Sequence, residues 1–281
     1  MLSSGNDPFL SFYRDSHSTL HTRLLTIDPL VAVAVFVIGI ATGAVGAMVG
    51  GGSMISIPFL IFLGIPADVA VATDRLAGLG AGTSAFIKYR AARKIAWRHV
   101  PTLTLTSLVG ALIGATLLIV TSADVVQTAL GVLLIALLPV VFFNRKLGIV
   151  SDSAPRNKVV LGVALYFFVQ VLAGFFGAGT GTLIFLILMS CFGLRITEAA
   201  ATQVIPFLVL TISTVVLFAA NDIIDYPVAI ALLVGTLVGG YVGAHTAVTK
   251  GDVWIRRLFA VVVLASALRL LWPDSWALGL Q

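Results

Sequence analysis

A displacement of 129 residues lays the second half of this sequence on the first, and both halves carry a glycine cluster inside apolar chain. Gly50, Gly51, Gly52 and Ser53 fall on Gly179, Thr180, Gly181 and Thr182. The run GIPADVAVAT from Gly64 falls on GLRITEAAAT from Gly193, and LVGALIGA from Leu108 falls on LVGGYVGA from Leu237, all at the same offset and without a gap. Such a chain is constrained to fold as two copies of one unit, each interrupted where an apolar helix would otherwise run on. Short, glycine-broken apolar segments at corresponding places in two halves point to the substrate site of a secondary transporter.

The medium follows from the residues between the clusters. The chain is 59% hydrophobic and 10% charged, against about 25% charged for soluble domains. Apolar stretches at 29–49, 67–87, 99–120, 124–143, 159–177, 196–220, 227–248 and 255–272 are each long enough to cross a hydrocarbon core of about 30 Å. Two more, 53–64 and 182–192, reach only about 18 Å as helices. The expected fold is an all-α polytopic membrane protein of about eight full transmembrane helices plus two half-length segments, arranged as two inverted-topology repeats. Its parts are a polar N-terminal tail at 1–28, which lacks the apolar stretch of a signal peptide, a first repeat at 29–148 and a second at 149–281.

Inversion is read from charge. Lys88, Arg90, Arg93, Lys94 and Arg98 mark one connection, Arg145, Lys146, Arg156 and Lys158 the middle one, and Lys250, Arg256 and Arg257 a third. The positive-inside rule turns all three toward the cytoplasm. The counterpart of 88–98 in the second half, 220–226, holds Asn221, Asp222 and Asp225 and no cation, so it faces outward. Opposite polarity of equivalent loops requires an odd number of crossings per half. Five crossings, or three with a re-entrant hairpin at the glycines, both satisfy it, and both leave the two termini on the non-cytoplasmic side.

A half-helix that begins inside the membrane leaves its first N–H groups without intrahelical partners. The helix dipole favours an anion there, glycine lets an oxyanion approach the backbone closely, and Ser53 and Thr182 are suited to cap or donate. The candidate anion-binding residues are therefore Gly50, Gly51, Gly52 and Ser53 with Gly179, Thr180, Gly181 and Thr182. Asp74 and Arg75 lie about 12–15 Å beyond the turn at 64–66, where an ionisable group costs at least ~2.5 kcal/mol. Arg75 is a candidate anion ligand through its guanidinium fork, and Asp74 either holds Arg75 or carries a coupling proton. Thr73 and Thr202 occupy equivalent positions, as do Asp74 and Gln203, and all are candidates to face the same cavity; Ser84 and Ser213 are weaker ones. Glu198, in the first turn of its helix, suits a capping role. Gly110 and Gly114, with Gly239 and Gly243, have the four-residue spacing of a packing seam. His245 reads as an interfacial imidazole, and Trp97 and Tyr226 as belt anchors.

The stretch GAVGAMVGGGSMISIPFLIFLGIPADVAVAT, followed by a basic loop and Ile95-Ala96-Trp97-Arg98, resembles the sulfite exporter TauE/SafE family of membrane transporters. AGFFGAGTGTLIFLILMSCFGLRITEAAAT is similar to that family's second repeat, so the resemblance covers about residues 30 to 270. It implies transport of sulfur-containing or organic anions, such as sulfite, thiosulfate, sulfoacetate or related sulfonates, across a prokaryotic plasma membrane. Two departures imply a shifted ligand preference. Asp74 and Arg75 stand where the family usually continues with small or apolar residues, and the run GAGTGT from Gly177 has hydroxyls in place of glycines.

The reading is a secondary transporter working by alternating access; the alternative is an anion channel or an accessory subunit of a larger transport system. No GxxxxGK[ST] loop indicates ATP hydrolysis, and neither a GxSxG serine nor paired deep carboxylates indicate an enzyme. The net charge of +5 comes with no nucleic-acid-binding signature. Lone Cys191 gives neither disulfide nor metal-ligand spacing, and no cofactor is expected. The expected partners are a small anion, a coupling proton or ion and the lipid bilayer, with assembly into oligomers left open.

Overall fold

The computed structural model describes residues 28–122, 125, 156–177 and 179–271. Eight helices run through them: α1 (Pro29–Val49), α2 (Ser53–Phe62), α3 (Ala67–Ala91), α4 (Val100–Val120), α5 (Arg156–Phe175), α6 (Thr180–Phe192), α7 (Ile196–Ala219) and α8 (Tyr226–Leu271). Apart from Val125, the expected segment at 124–143 lies outside the described residues, as does the tail at 1–27. The short segments are short helices, α2 of 10 residues and α6 of 13, or about 15 and 20 Å long.

Local sequence explains the boundaries. Asp28 caps α1, its carboxylate accepting the Leu30 N–H at 2.8 Å, with Pro29 in the first turn, where its missing N–H costs nothing. Gly50 ends α1 in the left-handed region at φ 74°. Gly64 and Gly193, at φ 84° and 68°, make the turns that follow the two short helices. At the start of α7 the Glu198 carboxylate accepts the Arg195 N–H at 3.1 Å, the capping expected of it.

Among the described residues, five helical stretches are long and apolar enough to cross a membrane: Pro29–Val49, Val100–Val120, Asn157–Phe175, Ile196–Ala219 and Tyr226–Lys250. Residues 67–87 form the long helix α3, which is more polar than these five, and more than half of its residues are buried in protein, so neighbours rather than lipid meet its polar groups. One expectation needs correction. The segments expected at 227–248 and 255–272 fall, as far as 271, in the single helix α8. The only breaker between them is Gly251, and a lone glycine costs only about 1 kcal/mol in a helix; no proline lies between Pro227 and Pro273.

The helices pair across the two halves. α1 packs along α8, α5 along α4, and α3 against both α7 and α8. The seams are glycine-lined: a Cβ on Gly43 would sit 2.8 Å from Gly240 N, and one on Gly243 2.8 Å from Ala44 Cα. On the other seam, a Cβ on Gly114 would sit 2.7 Å from Phe175 N, and one on Gly174 2.8 Å from Ala111 Cα. The four-residue glycine spacings are thus backbone contacts between helices.

Two buried clusters flank the middle. One gathers Tyr89, Val100, Leu103, Leu188, Phe192 and Ile196, and the other Ile57, Leu60, Ala70, Leu118, Phe218 and Leu232. α3 begins in the second cluster and ends in the first, whereas α7 begins in the first and ends in the second. α4 and α8 are opposed in the same way.

Candidate functional site

The glycine turns of the two halves meet backbone to backbone: a Cβ on Gly50 would lie 2.8 Å from the carbonyl carbon of Gly181. Beside this contact is a cavity of about 100 Å³, walled by Thr42, Gly46, Gly50, Gly52 and Ser53 from the first glycine region and by Gln170, Ala173, Gly177, Thr180 and Gly181 from the second. α3 and α7 close it with Asp74, Arg75, Gly78, Gln203, Val204 and Phe207. At roughly 30 Å³ per water, it takes about three waters or one small anion.

Asp74 and Arg75 are 5% and 4% exposed, and their side chains serve different helix ends. The Ser53 hydroxyl donates to Asp74 Oδ2 at 2.6 Å and the Ser56 hydroxyl donates to Asp74 Oδ1. A carboxylate therefore sits at the positive end of α2, where the dipole and two hydroxyls favour it. Arg75 Nη2 donates to the Ala173 carbonyl near the negative end of α5, a favourable place for a cation. Gly177, at φ 75°, leaves room for that guanidinium: a Cβ there would lie 2.9 Å from Arg75 Cζ. Arg75 Nε is buried and has no hydrogen-bond partner.

The pseudo-equivalent positions are not chemically equal. Gln203 replaces Asp74 and accepts the Tyr166 hydroxyl through Oε1 at 2.7 Å. The start of α2 thus faces a carboxylate, whereas Gln203, at the equivalent place in the second half, is neutral.

Of the residues expected at the site, Gly50, Gly52, Ser53, Asp74, Arg75, Thr180, Gly181 and Gln203 line the cavity together. Gly51, Thr73, Gly179, Thr182 and Thr202 are not among its walls. Thr73 and Thr202 instead tie down loops of the opposite half: Thr73 Oγ1 accepts the Asp225 N–H, and Thr202 Oγ1 accepts the Ala96 N–H, both at 3.0 Å. Gly179 supplies the left-handed turn before α6, at φ 76°. The Thr180 hydroxyl donates to the Gly177 carbonyl at 2.9 Å. Ser84 and Ser213 donate to Ala81 and Leu210 carbonyls of their own helices, at 3.2 and 2.9 Å. His245 stacks on Tyr241, ring centroids 6.4 Å apart.

Thr42, Ser56, Tyr166 and Gln170 were not anticipated. Gln170 had a legible signal, being the one amide in the apolar stretch 159–177, where a polar side chain is expensive. Among the described residues no three His, Cys, Asp or Glu side chains gather as a metal site would require, so the chemistry on view is hydrogen bonding and charge.

Glycine-seamed apolar helices around a cavity that holds a few buried polar groups mark a multi-pass membrane protein. Residues 35–270 match the family described as Sulfite exporter TauE/SafE, and the chain belongs to that family. It is 24% identical to a "Probable membrane transporter protein" of Haemophilus influenzae, over 86% of this chain and 94% of that one. It is 28% identical to "Probable membrane transporter protein ORF9" of a Sinorhizobium species, over 84% and 90%. With "Probable membrane transporter protein YfcA" of Escherichia coli K12 the identity is 27%, over 89% and 93%. No solved structure matches.

Proposed function

We propose that the protein is a secondary transporter of a small sulfur-containing or organic anion, of the class of sulfite, thiosulfate, sulfoacetate or a related sulfonate. It works by alternating access between two inverted repeats. The observation that carries this reading is the buried Arg75 guanidinium, with its unpartnered Nε–H, on the cavity between the two glycine turns. A fixed buried cation with an unused donor is a receptor for an oxyanion.

Three features support the inverted repeats. Six of the seven described left-handed residues pair at one offset, Gly50 with Gly179, Gly64 with Gly193, and Arg93 with Asp222, the last two both at φ 53°; Gly177 is the exception. Equivalent helices run oppositely between the two buried clusters. Each half holds the other's loop through Thr73 or Thr202. Two equivalent units gripping one another around a shared site can exchange roles, and that exchange opens the cavity to one side and then the other. Protonation of Asp74 would remove negative charge beside the start of α2 and raise the cavity's affinity for an anion, which couples proton to anion movement.

The test is thermal stabilisation of the purified protein by sulfite, thiosulfate, sulfoacetate, sulfate and small carboxylates. Binding to the folded state alone adds about 2.7 kcal/mol at a hundredfold excess over Kd. We expect stabilisation by a sulfur oxyanion in the wild type and its loss in Arg75→Gln. Stabilisation by none of these anions would overturn the reading.

A further inference from the structure

Three polar side chains on the cavity wall leave hydrogen-bonding capacity unused. Thr42 Oγ1, Arg75 Nε and both carboxamide atoms of Gln170 are buried without a partner, although Thr42 is 6% exposed, Arg75 4% and Gln170 0%. All three residues line the same cavity. The Gln170 carboxamide lies near the Tyr166 hydroxyl, whose proton goes to Gln203 and whose oxygen keeps a lone pair for an amide N–H, so the carboxamide oxygen is the atom that most needs an outside partner. An unmet buried polar group is destabilising, and several around one void call for water or a ligand to satisfy them.

Their chemistry specifies that ligand. The Arg75 Nε–H and the Gln170 amide N–H groups are donors and suit the oxygens of an oxyanion. The Gln170 amide oxygen is an acceptor, and a bare oxyanion offers it nothing. Whichever way the carboxamide is turned, one of its two atoms accepts and requires a donor. Thr42 can serve either need. We propose that Thr42, Arg75 and Gln170 form a specificity subsite for a small oxyanion that also carries a hydroxyl or ammonium donor, with Arg75 holding the anionic group and Gln170 and Thr42 reading the donor. This rests on the anion-transport reading and narrows it. Sites that hydrogen-bond a substrate hydroxyl reject the analogue lacking it, because their own buried groups are left unpaired.

The experiment compares 2-hydroxyethanesulfonate with 1-propanesulfonate, alike in size and charge and differing in the terminal hydroxyl, by calorimetry on purified wild type, Gln170→Leu and Thr42→Val. The expected result is at least a tenfold preference for the hydroxylated anion in the wild type, narrowed to within about threefold in each variant. Unliganded Gln170→Leu should melt no lower than the wild type, because the change removes an unpaired amide; a glutamine kept for structure would give a lower melting point. Equal binding of the two anions by the wild type, or a preference undiminished in Gln170→Leu, overturns the subsite and leaves the anion reading standing. Binding of neither anion, together with no response to any inorganic sulfur oxyanion, overturns both.

Discussion

Asp74 and Arg75 are neighbours in sequence and are put to separate uses by about 100° of helix rotation. Asp74 receives two serine hydroxyls at the start of α2, and Arg75 reaches a carbonyl of α5. Asp74→Asn keeps an acceptor for the serines and cannot ionise. In proteoliposomes this variant is expected to retain anion binding and to lose the dependence of uptake on an imposed pH gradient; an unchanged dependence would remove Asp74 from coupling. Asp225 offers a second titration, in the loop before the apolar stretch Tyr226–Lys250. Burial raises its carboxyl above the ordinary range, only partly offset by the Val228 N–H donated to it at 3.2 Å. The folded state therefore holds this proton more tightly than the unfolded chain. The resulting stabilisation is fully present below the unfolded value near ~3.9 and is lost as pH rises through the raised folded value. Asp225→Asn should then gain melting temperature relative to wild type as pH climbs through that window. A gap that stays constant between acid and neutral pH would contradict it.

At the scale of elements, the glycines divide by the reason each is glycine. Gly64 has a φ of 84° and nothing within 4 Å of a would-be Cβ, so Gly64→Ala incurs backbone strain alone, about 1–2 kcal/mol. Gly50 has a similar φ, but its would-be Cβ meets the Gly181 backbone at 2.8 Å. Gly50→Ala adds that collision to the strain, and overpacking of this kind costs a further ~1–3 kcal/mol. Melting curves in detergent should rank wild type above Gly64→Ala and Gly64→Ala above Gly50→Ala, and the reverse order of the two variants would refute the crossing of the glycine turns. Interior α3 follows the same logic of contact. It departs from the apolar pattern because α7 and α8 cover it, so its polar side chains meet protein groups rather than hydrocarbon.

For the molecule as a whole, the repeat makes a claim about sidedness. The basic 88–98 connection and the cation-free 220–226 connection should lie on opposite faces of the membrane. In a Cys191→Ser background, Lys94→Cys should resist a membrane-impermeant thiol reagent applied to intact cells, and Asn221→Cys should react. Both positions are exposed, so equal labelling of the two from outside would refute inversion.

Much of this architecture was legible in the residues, for physical reasons. Hydrocarbon tolerates so few backbone solutions that apolar length and composition dictated a helical membrane protein. The recurrence of glycines at one offset located the two turns that meet at the centre. Charge in the loops supplied the expected sidedness. Pairing is another matter, because side chains that touch in the fold stand far apart in the chain. Sequence spacing did not reveal that Thr73 and Thr202 would hold the opposite half's loops rather than face the cavity. It did not reveal that Thr42 and Gln170 would be left unpaired beside Arg75, or that 227–248 and 255–272 would run on as one helix. Composition and local propensity settled the medium and the breaks; which polar group meets which partner was decided only when the two halves packed together.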